Sequence, residues 1–275
     1  MTTSMKISKN SDYKETLSLR TDDPKTNDPT YAAYWSPIHQ LPLFISYPRS
    51  GAHWINAVME LFFDRPRLPI RRATFLDPDR KDWGWFHDHD TIAFADLTLD
   101  FDELVYGAMY LYRNPVDVVF SWIIYNFNNG QSLKLLPKDR LEEYVVAVSQ
   151  QYRDHLTKWL IEAPKKLKDK NYMFVRYENF KKDPINEFNR IQSFLTDNSI
   201  AEIVKHTTPD LVERIEMSFE IVTPVELSKR RTEWKTLSDF MLTDQYKEER
   251  ADFVKTYEED INSIAITEEL KEFFE

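Results

Sequence analysis

The stretch Leu41-Pro-Leu-Phe-Ile-Ser-Tyr-Pro-Arg-Ser-Gly-Ala-His-Trp54 constrains the chain more than any other. Its first half is a short apolar run rich in β-formers, which predicts a buried strand. The run breaks at Pro48 and Gly51. Apolar residues then recur at helical spacing: Trp54, Ile55, Val58, Met59 and Phe62. The layout is strand, tight turn, helix. Such a turn points the free N–H groups of a helix N-terminus at whatever lies above the strand, and that terminus favours anions. Arg49 adds a fixed positive charge and Ser50 a hydroxyl donor. A loop with a Ser cap and no ligand has the same local pattern. Glycine usage separates the two: the chain has 4 Gly in 275 residues, and Gly51 is one of them. A chain this poor in Gly keeps one where backbone must turn tightly or approach a ligand. The stretch is not a Walker A loop, which needs a second Gly followed by Lys.

The same pattern recurs. Tyr106 to Tyr112 reads as a strand and runs into Arg113-Asn-Pro-Val-Asp-Val-Val-Phe-Ser121. Asn114 is a helix N-cap, Pro115 fits the first helical position and Asp117 suits the first turn. Arg113 then falls at the carboxyl end of a strand, the edge where open α/β sheets bind ligands. Ser121 follows it by about two helical turns. Residues 139 to 161 form an amphipathic helix, Tyr172 to Tyr177 a third strand, 178 to 184 a polar turn, and 185 to 195 a helix. Strands alternating with helices predict an α/β fold, a central parallel sheet flanked by helices. Residues 1–30 are polar without apolar period and read as an arm, leaving one domain over 31–275. Arg65, Arg67, Arg71 and Arg72 read as a solvated basic connection, and residues 243–275 as a peripheral acidic helix.

Charge and composition limit the partners. The net charge is -10 and the pI ≈ 5.2, which disfavours nucleic acid. There is no Cys, so no disulfide or thiolate chemistry. No apolar run reaches the length of about 18 residues that a membrane span needs, and no apolar leader is evident, so a cytoplasmic location is expected.

Trp83-Gly-Trp-Phe-His-Asp-His-Asp90 places two His alternating with two Asp. In an extended segment both His share one side and both Asp the other. This pattern suits a metal site, a general-base His oriented by a carboxylate, or a surface loop. Lys229-Arg-Arg-Thr-Glu-Trp-Lys235 is a basic cluster in an acidic chain, either a charged turn or a second anion clamp.

Taken in order, these pieces resemble the sulfotransferase family that uses 3′-phosphoadenosine-5′-phosphosulfate (PAPS) as donor. Tyr47 to Trp54 looks like that family's 5′-phosphosulfate loop, commonly Tyr-Pro-Lys-Ser-Gly-Thr-Thr-Trp. Arg113 to Ser121 resembles its 3′-phosphate motif. Arg176 to Pro184 and Met217 to Phe219 resemble its adenine-contacting segments, and Lys229 to Lys235 a shortened last motif. The resemblance implies a P-loop-kinase-like sulfotransferase fold, PAPS as cofactor with the 3′,5′-bisphosphate PAP as product, and no metal. It implies that Arg49, Ser50, Gly51, Ala52, His53 and Trp54 hold the 5′-phosphosulfate, with Trp54, Tyr177 and Phe219 on adenine. Arg113, Ser121 and one of Lys229, Arg230 and Arg231 would hold the 3′-phosphate. His87 sits where the family places its general base, and Arg49 would assist the leaving group.

The chain departs from the pattern in places. The loop Lys is Arg49, the two Thr are Ala52 and His53, and Trp85 stands where a Lys often precedes the base by two residues. His89 is a rival base. Asp88, Asp90 and His89 are candidate acceptor contacts. The expected acceptor is a small-molecule hydroxyl or amine, and the carboxylates favour a cationic one. The loop form is similar to bacterial, particularly cyanobacterial, small-molecule sulfotransferases, some of which tailor guanidinium alkaloids of the saxitoxin type. The rival functions are a P-loop phosphotransferase, a nucleotide-binding module without chemistry and a metal-dependent hydrolase built on His87, Asp88 and His89.

Overall fold

The computed structural model describes residues 42–63, 65, 67–69, 84–89, 107–127, 131–166, 171–198, 213, 240–241 and 243–275. The expected arm, Asp90, Phe219, Lys229, Arg230 and Arg231 lie outside the described residues, as does nearly all of the helical stretch expected at 199–217.

The element order is β1 (Leu43–Ser46), α1 (Ala52–Phe63), β2 (Arg67–Pro69), β3 (Trp85–Asp88), β4 (Gly107–Tyr112), α2 (Pro115–Phe127) and α3 (Lys138–Leu156). A π-helical segment, Thr157–Glu162, and a last turn, α4 (Ala163–Lys166), extend α3. Then come β5 (Asn171–Arg176), α5 (Tyr177–Lys182), α6 (Pro184–Asn198), α7 (Asp244–Ala265) and a closing 3₁₀ turn, Glu268–Phe273. The five strands form one parallel sheet in the order β2-β3-β1-β4-β5. The chain leaves β1 towards β3 and leaves β4 towards β5. The order therefore reverses between β1 and β4, and a crevice opens at their carboxyl ends.

Both faces of the sheet are covered, which is why its strands read as continuous apolar runs. Phe44, Met109, Leu111, Met173 and Val175 pack against α1, α5 and α6. Leu43, Ile45, Ala108 and Tyr110 point the other way, onto Tyr152, Leu156 and Trp159 of α3 and its extension. A third cluster joins α2, α3 and α7 through Phe120, Ile124, Val148, Phe253 and Ile261.

Three local expectations change, and one open reading is decided. Arg67 does not lie in a solvated connection; it starts edge strand β2 and is buried against Glu60 of α1 at 3.4 Å. The segment at Trp85 is a strand inside the sheet. Residues 177–182 are a short helix rather than a turn. The C-terminal helix is not peripheral: Phe253, Ile261 and Ala265 are buried, and Glu249 accepts hydrogen bonds from Ser132 Oγ and, at 2.8 Å, Leu133 N. Its acidic surface face hid an apolar stripe that only α2 and α3 reveal.

Candidate functional site

The β1–α1 turn is built around two left-handed residues, Arg49 (φ 73°) and Gly51 (φ 95°). Ser50 N–H closes the turn on Tyr47 O at 3.2 Å, and Trp54 N–H bonds Gly51 O at 3.1 Å. Those two groups are therefore bonded within the turn. No hydrogen bond among the described residues takes the N–H groups of Gly51 and Ala52, and these are the ones a helix N-terminus offers to an anion. A Cβ on Gly51 would overlap the Tyr177 ring, so the glycine is needed for both its φ and its missing side chain. Trp54 meets Tyr177 edge-on at 5.8 Å and Phe180 at 5.6 Å, an aromatic wall beside the turn.

The second anion group comes from β4–α2. Asn114 caps α2, its Oδ1 accepting from Val116 N at 2.9 Å, as its sequence position predicts. Arg113 leaves the strand and donates from Nη1 to Arg49 O at 3.3 Å. It lies over the Tyr177 ring at 4.6 Å and pairs with Asp117 at 3.3 Å. Its Nε is buried without a hydrogen-bond partner among the described residues. Arg49 Nε donates to Ser121 Oγ at 2.9 Å, and its guanidinium lies 5.0 Å from the centre of the Tyr125 ring. The side chain of Arg49 thus rests on the proposed 3′-phosphate motif. Burial, with Arg113 adding repulsion, pushes the Arg49 guanidinium down to about 10, far enough from neutrality to keep its charge. Arg250 of α7 closes the group by binding Asp117 at 2.6 Å. Arg113 and Arg250 share Asp117, and Arg49 adds its charge beside Arg113, so positive charge gathers here in an acidic protein, an arrangement that an anion would balance.

The histidines sit one strand over. In the β1–β3 register Ile45 faces Asp88, so His89 lies just past the last ladder pair, next to Ser46. His87 Nε2 is 3.3 Å and His89 Nδ1 3.0 Å from Ser46 Oγ, so both rings lie on one side of the strand, as alternation predicts. His89 Nδ1 is also 3.0 Å from Ser46 O. A carbonyl only accepts, so Nδ1 carries the proton and Nε2 is the basic nitrogen of a neutral His89. His87 is 6% exposed and packs on Phe44, whereas His89 is half-buried and meets His53 of α1 edge-on at 6.1 Å. For Asp88 only its place in β3 is described. Among the described residues no group of three or more His, Cys, Asp or Glu could hold a metal ion.

The sequence placed Arg49, Gly51, Trp54, Arg113, Ser121, Tyr177 and both histidines, and the fold brings them to one crevice. It missed Ser46, Asp117, Tyr125 and Arg250. Strand register could have flagged Ser46; Arg250 carries no local signal at all.

A family model described as a sulfotransferase domain matches residues 106–257, more than half of the chain. The chain belongs to the sulfotransferase family. An amine sulfotransferase of Oryctolagus cuniculus is 25% identical over 215 residues, 69% of this chain and 68% of its own length. A flavonol 4′-sulfotransferase of Flaveria chlorifolia is 24% identical over 213 residues, 67% of this chain and 63% of that protein. The fold is that of mouse sulfotransferase SULT7A1, solved with PAP, at a TM-score of 0.52 and 16% identity over 83% of this chain and 89% of the other. The sulfotransferase is a PAPS-dependent enzyme. Its turn fits the donor: among the described residues the N–H groups of Gly51 and Ala52 and Arg113 Nε have no protein partner, and these and the guanidiniums beside them can all donate hydrogen bonds to an anion.

Proposed function

We propose that this sulfotransferase moves a sulfuryl group to the hydroxyl or amine of a small-molecule acceptor by in-line transfer, with a histidine as general base. The arrangement that carries the proposal is the convergence of Arg49, Arg113, Ser121 and the α1 N-terminus in the β1–β4 crevice, with His87 and His89 on the adjacent strand. Bound PAPS supplies the sulfuryl group and a bisphosphate leaving group. Arg113 and Ser121 bind its 3′ end, while Trp54 and Tyr177 take the adenine face. Arg49 and the N–H groups of Gly51 and Ala52 hold the 5′ end and offset the charge that grows there during transfer. Phe219 and one of Lys229, Arg230 and Arg231 complete these contacts on the sequence pattern alone.

His89 is the better base of the two. Its Nε2 is the basic nitrogen and its ring keeps some exposure, while His87 is buried behind Ser46. Ser46 Oγ accepts from His89 and can donate to His87 Nε2, which makes His87 a support for the pair. The amine acceptor named for the rabbit relative favours nitrogen over oxygen here, and Asp88 and Asp90, beside the histidines in sequence, favour a cation such as a guanidinium. We read the enzyme as cytoplasmic, with one domain over 31–275.

Two measurements test this. Thermal stabilisation by 3′,5′-adenosine bisphosphate should exceed that by AMP or ATP–Mg²⁺, because only the bisphosphate fills both anion groups. ATP–Mg²⁺ stabilising best would favour the phosphotransferase instead. Then His89→Ala should lower turnover about 10²–10⁴-fold with bisphosphate binding unchanged. If His87→Ala shows that loss and His89→Ala does not, the base is His87.

A further inference from the structure

His155, in the last turn of α3, is buried and has no carboxylate partner among the described residues. Its Nε2 is 3.2 Å from the backbone oxygen of His89, and its Nδ1 is 2.8 Å from the Tyr110 hydroxyl on β4. The Tyr47 ring stands edge-on to it at 5.2 Å. The His89 oxygen only accepts, so Nε2 carries the proton and Nδ1 accepts from Tyr110 O–H. Both nitrogens are used and one tautomer is selected. A leucine or phenylalanine would fill the same space without the cost of desolvating two polar atoms, so packing alone does not account for an imidazole.

The peptide it grips is at a critical place. The β1–β3 ladder ends at Ile45 and Asp88, and the His89 peptide lies one residue beyond it. His155 donates to that carbonyl from Nε2. On its other side the His89 ring is tied through Nδ1 to Ser46. We propose that His155 is a positioning residue of the transfer site: its neutral ring holds the His89 peptide at the sheet edge and thereby keeps the His89 ring on Ser46, with Nε2 as the basic nitrogen. The role in transfer rests on His89 being the base.

The charge state suits this role. Burial pushes His155 down to about 3, with the positive charge of Lys158 adding to the effect, so the ring stays neutral and donates only from Nε2. The titratable groups around it are Tyr110 on β4, Tyr47 after β1, His89 after β3 and Lys158 in the adjoining π-helical segment.

The test is a set of long-range ¹H–¹⁵N imidazole spectra of the full chain saturated with 3′,5′-adenosine bisphosphate, for wild type, His155→Gln, His155→Leu and Tyr110→Phe. Wild type should show His89 protonated at Nδ1 and His155 protonated at Nε2, the latter not titrating above about pH 5. In His155→Leu the His89 signal should move to a mixture of tautomers. Turnover with 2-naphthylamine as probe acceptor should fall about 10- to 100-fold, with the KM for PAPS held within about twofold. His155→Gln keeps an N–H donor and should restore most of both. An unchanged His89 tautomer in His155→Leu overturns the proposal, as does a Gln variant no better than Leu. If His155→Leu does not fold, Tyr110→Phe decides: a smaller shift in the same direction supports the role, and a wild-type spectrum refutes it. A fully active His89→Ala would remove the base assignment while leaving the tautomer result standing.

Discussion

Gly51 shows how much one residue can decide. Its φ of 95° is open to few side chains, and a Cβ there would enter the Tyr177 ring. Gly51→Ala should therefore cost about 1–2 kcal/mol in backbone strain alone. It should also move Tyr177 away from Arg113, whose guanidinium lies on that ring. We expect a lower melting temperature and a larger loss of bisphosphate affinity by calorimetry than Ala52→Ser produces. The glycine was legible in the sequence because glycine is rare in this chain. Tyr177 as the reason for it was not, because 126 residues separate the two. The histidines divide in the same way. Alternation put His87 and His89 on one side, but which ring keeps exposure depends on Phe44 and Ser46 of a different strand.

Among the elements, α7 is the one whose pattern misled. Its surface charges describe a peripheral helix, yet it is anchored by Glu249, a buried carboxylate that accepts from Ser132 Oγ, Leu133 N and Gln245 Nε2. Removing it takes the acceptor from Ser132 and Leu133, which open the 3₁₀ turn Leu133–Leu135 before α3, while the exposed Gln245 can turn to water. Glu249→Ala should destabilise the protein by about 2–3 kcal/mol, read as a shift in urea midpoint with the slope unchanged, and Glu249→Gln by less. Arg250, one residue on, takes Asp117 at the edge of the anion group. Loosening α7 withdraws the positive charge of Arg250 and should thus also weaken bisphosphate binding, which Arg250→Ala would mimic without unfolding the helix. The β1–α1 and β4–α2 units, by contrast, were legible as they stand, because caps, proline and apolar period are all local signals.

At the scale of the whole molecule, His155 gives stability a pH dependence. Its folded form resists protonation down to about pH 3, while an unfolded histidine takes a proton near its ordinary value of about 6.5. Between those limits the unfolded chain binds more protons, so stability rises with pH across the window. The contribution is fully present above about pH 6.5 and is lost as the pH falls, at up to about 1.4 kcal/mol per pH unit. Urea midpoints of wild type and His155→Gln at several pH values should converge towards acid, the variant showing the shallower slope. Parallel slopes would mean that the ring is solvated. Sequence by itself determined the two strand–turn–helix units and the parallel α/β class, since these follow from local period, capping and backbone preference. Tertiary structure alone decided the five-strand order, the meeting of Arg49 with Ser121 and Arg113, the place of Arg250 and the link from His155 to His89. Each of those joins residues far apart in the chain, and it is the packing of both sheet faces that brings them within bonding distance.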